Sequence, residues 1–206
     1  MNGTKKIPKV CAALARSRSR LNVFAITSVA KAGGNLTDMR QFLRHALIML
    51  RNRVEITYLL TELKWTKNVN HQGNDKYWAY QNIGLDLNIF RLNWKTEQAE
   101  NAIKPQESEL ILLRQRGKVT HIVKLLNNTL DEEHGEFGIS RLVEVVWIAD
   151  YWSVPPKQKM MFGYDVHLQG GKVMKLETRT FNEHWGSRGG LVGFQNHVLK
   201  ALKLER

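Results

Sequence analysis

The most regular pattern of apolar and polar positions lies between Ile103 and Asn128. Leu110 to Leu113 is apolar without a break, as a strand covered on both faces should be. Val119, His121, Val123 and Leu125 instead alternate with Lys118, Thr120 and Lys124, the period of a strand with one covered face. Gln115 to Lys118 joins the two, and Gly117 supplies the positive φ that a tight hairpin turn needs. In this register His121 shares a face with three apolar residues, a position that suits a hydrogen-bonded core histidine or one at the base of a binding site.

The rest of the chain is read in the same way. Asp38, with Gln41 three residues on, is placed to cap a helix in which Phe42, Leu43, Ala46, Leu47 and Leu50 recur at helical spacing. Val54 to Leu60 alternates like a strand and runs into Glu62-Leu63-Lys64. Tyr77 to Tyr80 reads as a short aromatic strand after the polar loop His71 to Asp75, and Leu85 to Trp94, which has no clean period, as a helical turn. Glu97 to Ile103 fits a brief helix ended before Pro105. Beyond the acidic loop Asn127 to Phe137, Ile139 to Ile148 is a strand. Phe162 to Leu168 and Val173 to Thr178 then form a hairpin about Gly170-Gly171, Arg179 to Gly190 a loop, and Phe194 to Leu204 a closing amphipathic helix. The sum is an α+β domain: a small mixed β-barrel or strongly twisted sheet flanked by helices.

Composition adds an electrostatic bias. The 206 residues hold 31 Lys and Arg against 19 Asp and Glu, a net charge of +12, which favours a polyanionic partner. Residues 1–37 carry Lys5, Lys6, Lys9, Arg16, Arg18, Arg20 and Lys31 and no acid, so they are set apart as a basic leader from a single domain over 38–206. Such a leader fits a nucleic-acid-binding arm, an organellar transit peptide or a segment without a role. The expected location is the cytoplasm, nucleoid or nucleus, or an organelle in the transit-peptide case. The single Cys11 permits neither an internal disulfide nor a thiolate cluster, and no apolar run is long enough to span a bilayer.

Few catalytic patterns are present. The seven histidines show no metal-binding pair, Gly186 to Gly190 lacks the lysine of a phosphate-binding loop, and nothing calls for a cofactor or metal. Glu62-Leu63-Lys64 at a strand end has the form of half of a Mg²⁺-dependent restriction-type nuclease site, in which the carboxylate holds the ion and the lysine supports the attacking water. Its partner carboxylate is not evident upstream, where Asp38 starts a helix and Glu55 shares the strand.

The run Ile103-Lys104-Pro105, an apolar strand, the basic turn Arg116-Gly117-Lys118 and Val119-Thr120-His121-Ile122-Val123-Lys124 resembles the strand pair of the PUA-like superfamily, which includes the EVE, YTH, ASCH and SRA domains. The likeness extends over about residues 54–204. It implies a pocket for a nucleobase, modified or flipped, with stacking walls, polar groups that read the base edge and cations that hold phosphates. The candidates are Trp78, Trp147, Tyr151, Trp152 and His121 for the base, and Arg114, Arg116, Lys118, Arg179 and Arg188 for the phosphates. The expectation is a non-enzymatic nucleic-acid-binding domain, DNA or RNA, with no membrane partner. The alternatives are the nuclease using Glu62 and Lys64 and an RNA-associated assembly protein that binds through its leader.

Overall fold

The computed structural model describes residues 59–71, 76–81, 88–149, 152–167 and 170–204. All lie within the compact unit Arg53–Arg206. The basic leader, the helix expected after Asp38 and most of the strand expected over 54–60 fall outside the described residues. At the end of that last stretch Leu59 is helical and Leu60–Glu62 form a 3-10 turn, and the first described strand begins at Leu63.

The sheet is built around the expected hairpin. Strand β3 (Leu110–Gln115) pairs antiparallel with β4 (Lys118–Leu125), and the turn between them has Arg116 at φ 50° and Gly117 at φ 70°. Two consecutive left-handed residues make a turn whose twist matches that of the strands. Leu110 and Leu112 enter one apolar core, and Ile111 and Leu113 the other, so β3 is buried on both faces.

Strand β4 carries a bulge. Leu113 faces His121 but Arg114 faces Val119, which leaves Thr120 as the extra residue. Val119 therefore joins Ile122 on the first face, while His121 turns to the second with Val123 and Leu125. The alternation expected from sequence put Val119 and His121 on one face; a one-residue insertion reverses that relation.

The order of the described strands is β2-β6-β4-β3-β1-β7. Here β1 is Leu63–Asn68, β2 Ile89–Trp94, β6 Ile139–Ile148 and β7 Val173–Lys175, with β5 (Asp131–Glu132) paired to β6 outside the main path. Among the described strands only β1 and β3 run parallel. The sheet curls into a half-barrel, so that Lys67 on β1 reaches the Trp94 ring on β2 although the two strands stand far apart in the order. Helix α1 (Ala99–Ala102), after a 3-10 turn at Thr96–Gln98, caps β7: the Asn101 side-chain amide donates to the Val173 carbonyl and accepts from its N–H.

The first face is covered by α2 (Gln158–Phe162), α3 (Arg179–Trp185) and α4 (Gly190–Ala201), which bring Met161, Phe162, Phe181, Trp185, Phe194 and Val198 to its core. Several expected elements are revised here. Phe162 ends a helix instead of starting a strand, and β7 pairs with β1, not with a hairpin partner. The expected loop after Arg179 is a helix, because the Thr178 hydroxyl accepts from the Phe181 N–H as an N-cap and Phe181 and Trp185 share its buried side. Leu85 to Trp94 yields a strand from Ile89, and Tyr77 to Tyr80 is a loop held by side-chain bonds to β3. None of the described helices is long and apolar enough to cross a membrane.

Candidate functional site

One end of the sheet collects aromatic rings. Gln115, the last residue of β3, is almost wholly buried; its amide donates to the Tyr77 carbonyl at 3.0 Å and accepts from the Ala79 N–H at 2.7 Å. The Arg116 guanidinium, in the turn, donates to the Lys76 and Tyr77 carbonyls and lies 5.0 Å from the centroid of the Trp78 ring. Trp78 touches Trp152 with ring centroids 6.2 Å apart, and Trp152 lies 5.4 Å from His121. Phe90 and Tyr80 close the far side of His121 at 6.0 and 6.4 Å.

The electrostatics of this end are those of a dry floor under half-buried indoles. Burial pushes the His121 imidazole down to about 4, against a smaller opposing pull from the Tyr80 main-chain carbonyl, so the ring is neutral at physiological pH. Its Nδ1 pairs with the Thr120 hydroxyl at 3.1 Å, and its Nε2 is buried without a hydrogen bond. Burial pushes the Tyr80 phenol up to about 12, offset in part by the Asn93 N–H that donates to it. The Arg116 guanidinium stands next to these rings. The backbones of Lys118 in β4 and Lys157 form an isolated bridge, and the 156–158 segment is tied to the turn by bonds from Val119 N–H to the Pro156 carbonyl and from Gln158 N–H to the Gly117 carbonyl.

Of the sequence candidates, Trp78, Trp152 and His121 are brought together, with Arg116 on the Trp78 ring and Lys118 two residues further along the same hairpin. Tyr151 lies outside the described residues. Trp147 packs against the first-face core, away from His121. Arg114 is 3% exposed, with Nε on the Thr66 hydroxyl and Nη1 on the Gln158 amide, so it stands inside the structure and not at a rim. Arg179 pairs with Glu183 on α3, and Arg188 with His184, both on the helical layer of the first face. Sequence reasoning missed Tyr80, Phe90, Gln115 and Lys157. The residues from Tyr77 to Tyr80 carried a signal as an aromatic run, but Gln115 and Lys157 carried none, because only the fold sets them beside that run.

The other end of β3 is different. A cleft of about 410 Å³ is lined by Lys64, Trp65, Lys104, Gln106, Glu109, Lys175 and Glu177. Of the nuclease reading it contains Lys64 and not Glu62, and Glu109, the residue just before β3, stands in it as a carboxylate. Lys64 bridges Glu62 at 2.9 Å and Glu109 at 3.1 Å. Glu109 also accepts from the Trp65 indole at 2.7 Å and from the Gln106 main-chain N–H at 2.8 Å. Both its oxygens are thus engaged, and no cluster of three metal-binding side chains occurs among the described residues.

The fold therefore defines an α+β protein on a curled mixed sheet, with an aromatic end that carries Arg116 and a cleft of mixed charge at the other. No protein-family model, curated protein or solved structure matches the chain.

Proposed function

We propose that this protein binds nucleic acid through the aromatic end of its half-barrel, in the manner of a PUA-like base reader. The observation that carries the reading is the meeting of Trp78, Trp152 and His121 beside Arg116, from three separate segments. Trp78 and Trp152 are half-buried and offer ring surface to a base, while the basic side chains neutralise phosphates. Because the two indoles touch each other, a base stacks on their outward faces, with His121 beneath as the polar floor. The net charge of +12 supplies the long-range attraction.

Binding of fluorescent single- and double-stranded DNA and RNA, with and without modified bases, tests this over a series of salt concentrations. Trp78→Ala and Trp152→Ala should each weaken binding about 5- to 100-fold, the range for one stacked base, with the circular dichroism spectrum unchanged. Folded variants that bind as well as the parent chain would refute the reading. A steep salt dependence with no loss in either variant would reduce it to charge alone.

A further inference from the structure

The segment that leads into the aromatic end carries a second, separate ring pair. Tyr77 is 57% exposed, and its ring lies 5.4 Å from that of His71 with the two planes inclined by 55°. The next residue, Trp78, turns to Trp152 instead. Among the described residues no ring contact joins the two pairs. Each pair has a histidine with a buried ring nitrogen that lacks a hydrogen bond, His71 Nδ1 within one and His121 Nε2 beside the other.

An exposed ring on a loop is ordinarily mobile, but the main chain under this one is fixed. The Tyr77 carbonyl accepts from the Gln115 amide at 3.0 Å and from Arg116 Nη2 at 3.1 Å. The Lys76 carbonyl and the Ala79 N–H are bonded to the same two side chains. Gln115 is 2% exposed, so the segment is held from inside the sheet. The fold thus fixes the Tyr77 backbone and leaves its ring open, and an aromatic side chain has few torsions to freeze when a flat partner lies on it. Arg116 spans the two pairs: it bonds the Tyr77 carbonyl and lies 5.0 Å from the Trp78 centroid. The Lys76 and Tyr77 carbonyls take two of its five N–H donors, which leaves others for an anion.

We propose that Tyr77 is a second stacking platform, so that the ligand is a single strand whose adjacent bases lie on the Trp78–Trp152 pair and on Tyr77, with a backbone phosphate at Arg116. The inference rests on base binding at Trp78 and Trp152. Two neighbouring bases can lie on two separate protein rings only when they are unstacked from one another, which a single strand allows and a duplex does not. One base flipped out of a duplex would fill the Trp78 site and leave Tyr77 unused. The chemistry recognised is the flat face of a base, common to DNA and RNA.

Competition against a labelled strand tests this with the full chain. The probes are adenylates and thymidylates from the mononucleotide upward, in ribo and deoxyribo form, and the duplex made by annealing the longest complementary pair. The parent chain should bind the single strands at least about 5-fold more tightly than the duplex, the lower bound for one stacked base. Tyr77→Ala should remove about 5- to 100-fold of the affinity gained between mononucleotide and oligonucleotide. Tyr77→Phe should keep that gain, whereas Tyr77→Leu, which is apolar but not flat, should lose it. The substitutions leave the charge unchanged, so a loss reports stacking. The sugar form that binds more tightly identifies the source, and the same loss is expected on either. Should Trp78→Ala and Trp152→Ala weaken binding while Tyr77→Ala does not, the second platform is wrong and the base site stands. Duplex bound as tightly as single strand would also overturn the inference, and no binding of any probe would overturn the base site with it.

Discussion

The two ends of β3 use charge in different ways. At Glu109 the charges are of both signs and bonded to one another: Lys64 sits between two carboxylates, and Glu109 is bonded by a lysine, an indole and a main-chain N–H. At Arg116 the guanidinium lies against the Trp78 ring, and the rings beside it include a histidine whose Nε2 has no hydrogen bond. A network bonded in this way at Glu109 is satisfied within the protein and has little left for a ligand. An end with an unbonded buried polar atom carries a cost that a ligand can lower, which is why the proposed site is placed there and not in the cleft.

The comparison is most easily broken at Arg141. This fully buried side chain donates to the carbonyls of Ala102, Pro105 and Asn127 and so fixes the loop that carries Lys104 and Gln106 to the cleft. Arg141→Met leaves those carbonyls unpaired, and chemical denaturation should show a loss of about 3–5 kcal/mol. A loss under 1 kcal/mol would mean that the cleft end is not held as described.

His121 sharpens the contrast through pH. Its folded value of about 4 lies below the ordinary 6.5, so the unfolded chain binds the proton first as pH falls. Stability is therefore complete above pH 6.5 and is lost as pH falls from 6.5 to about 4, by up to about 3 kcal/mol. His121→Phe should remove this part of the acid sensitivity. An unchanged pH profile in that variant would contradict a dry floor.

At the cleft end burial raises the Glu109 carboxyl, but bonds from Gln106, Trp65 and Lys64, together with the Lys64 charge, outweigh it and hold it below its usual value. Its contribution is present above the ordinary carboxylate range and is lost as pH falls through the lowered folded value. Glu109→Gln should cost about 1–3 kcal/mol at neutral pH, measured by denaturant titration. The smallest stability effect is expected at Arg116, where Arg116→Gln removes an exposed ring contact worth about 0.5–1 kcal/mol. The same change should lower the salt-dependence slope of oligonucleotide binding by about one phosphate contact. An unaltered slope would remove Arg116 from the interface.

How far the sequence could be read depended on the range of the interactions involved. The β3–β4 hairpin was legible because its turn chemistry is local: Gly117 takes the left-handed position, and the uninterrupted apolar run marks a strand buried twice. Strand β6 and the C-terminal helix were legible for the same reason, although the helix starts at Gly190, four residues before Phe194. The α3 helix was missed despite its local cap, because Gly and polar residues around Trp185 read as a loop. Strand β2 was missed because its partner is β6, some fifty positions away along the chain.

By itself, then, the sequence determined an α+β chain with a positive balance, a central hairpin and a set of indoles and cations without a catalytic motif. Only the tertiary structure decided which of those residues meet. The bulge at Thr120 set His121 against the aromatic rings, the parallel pairing of β1 with β3 brought Glu109 to Lys64, and the curl of the sheet placed Lys67 over Trp94. Each is a contact between residues distant in the chain or a shift of one position in register. Such contacts follow from how layers pack, which hydrophobic periodicity along a single strand does not encode.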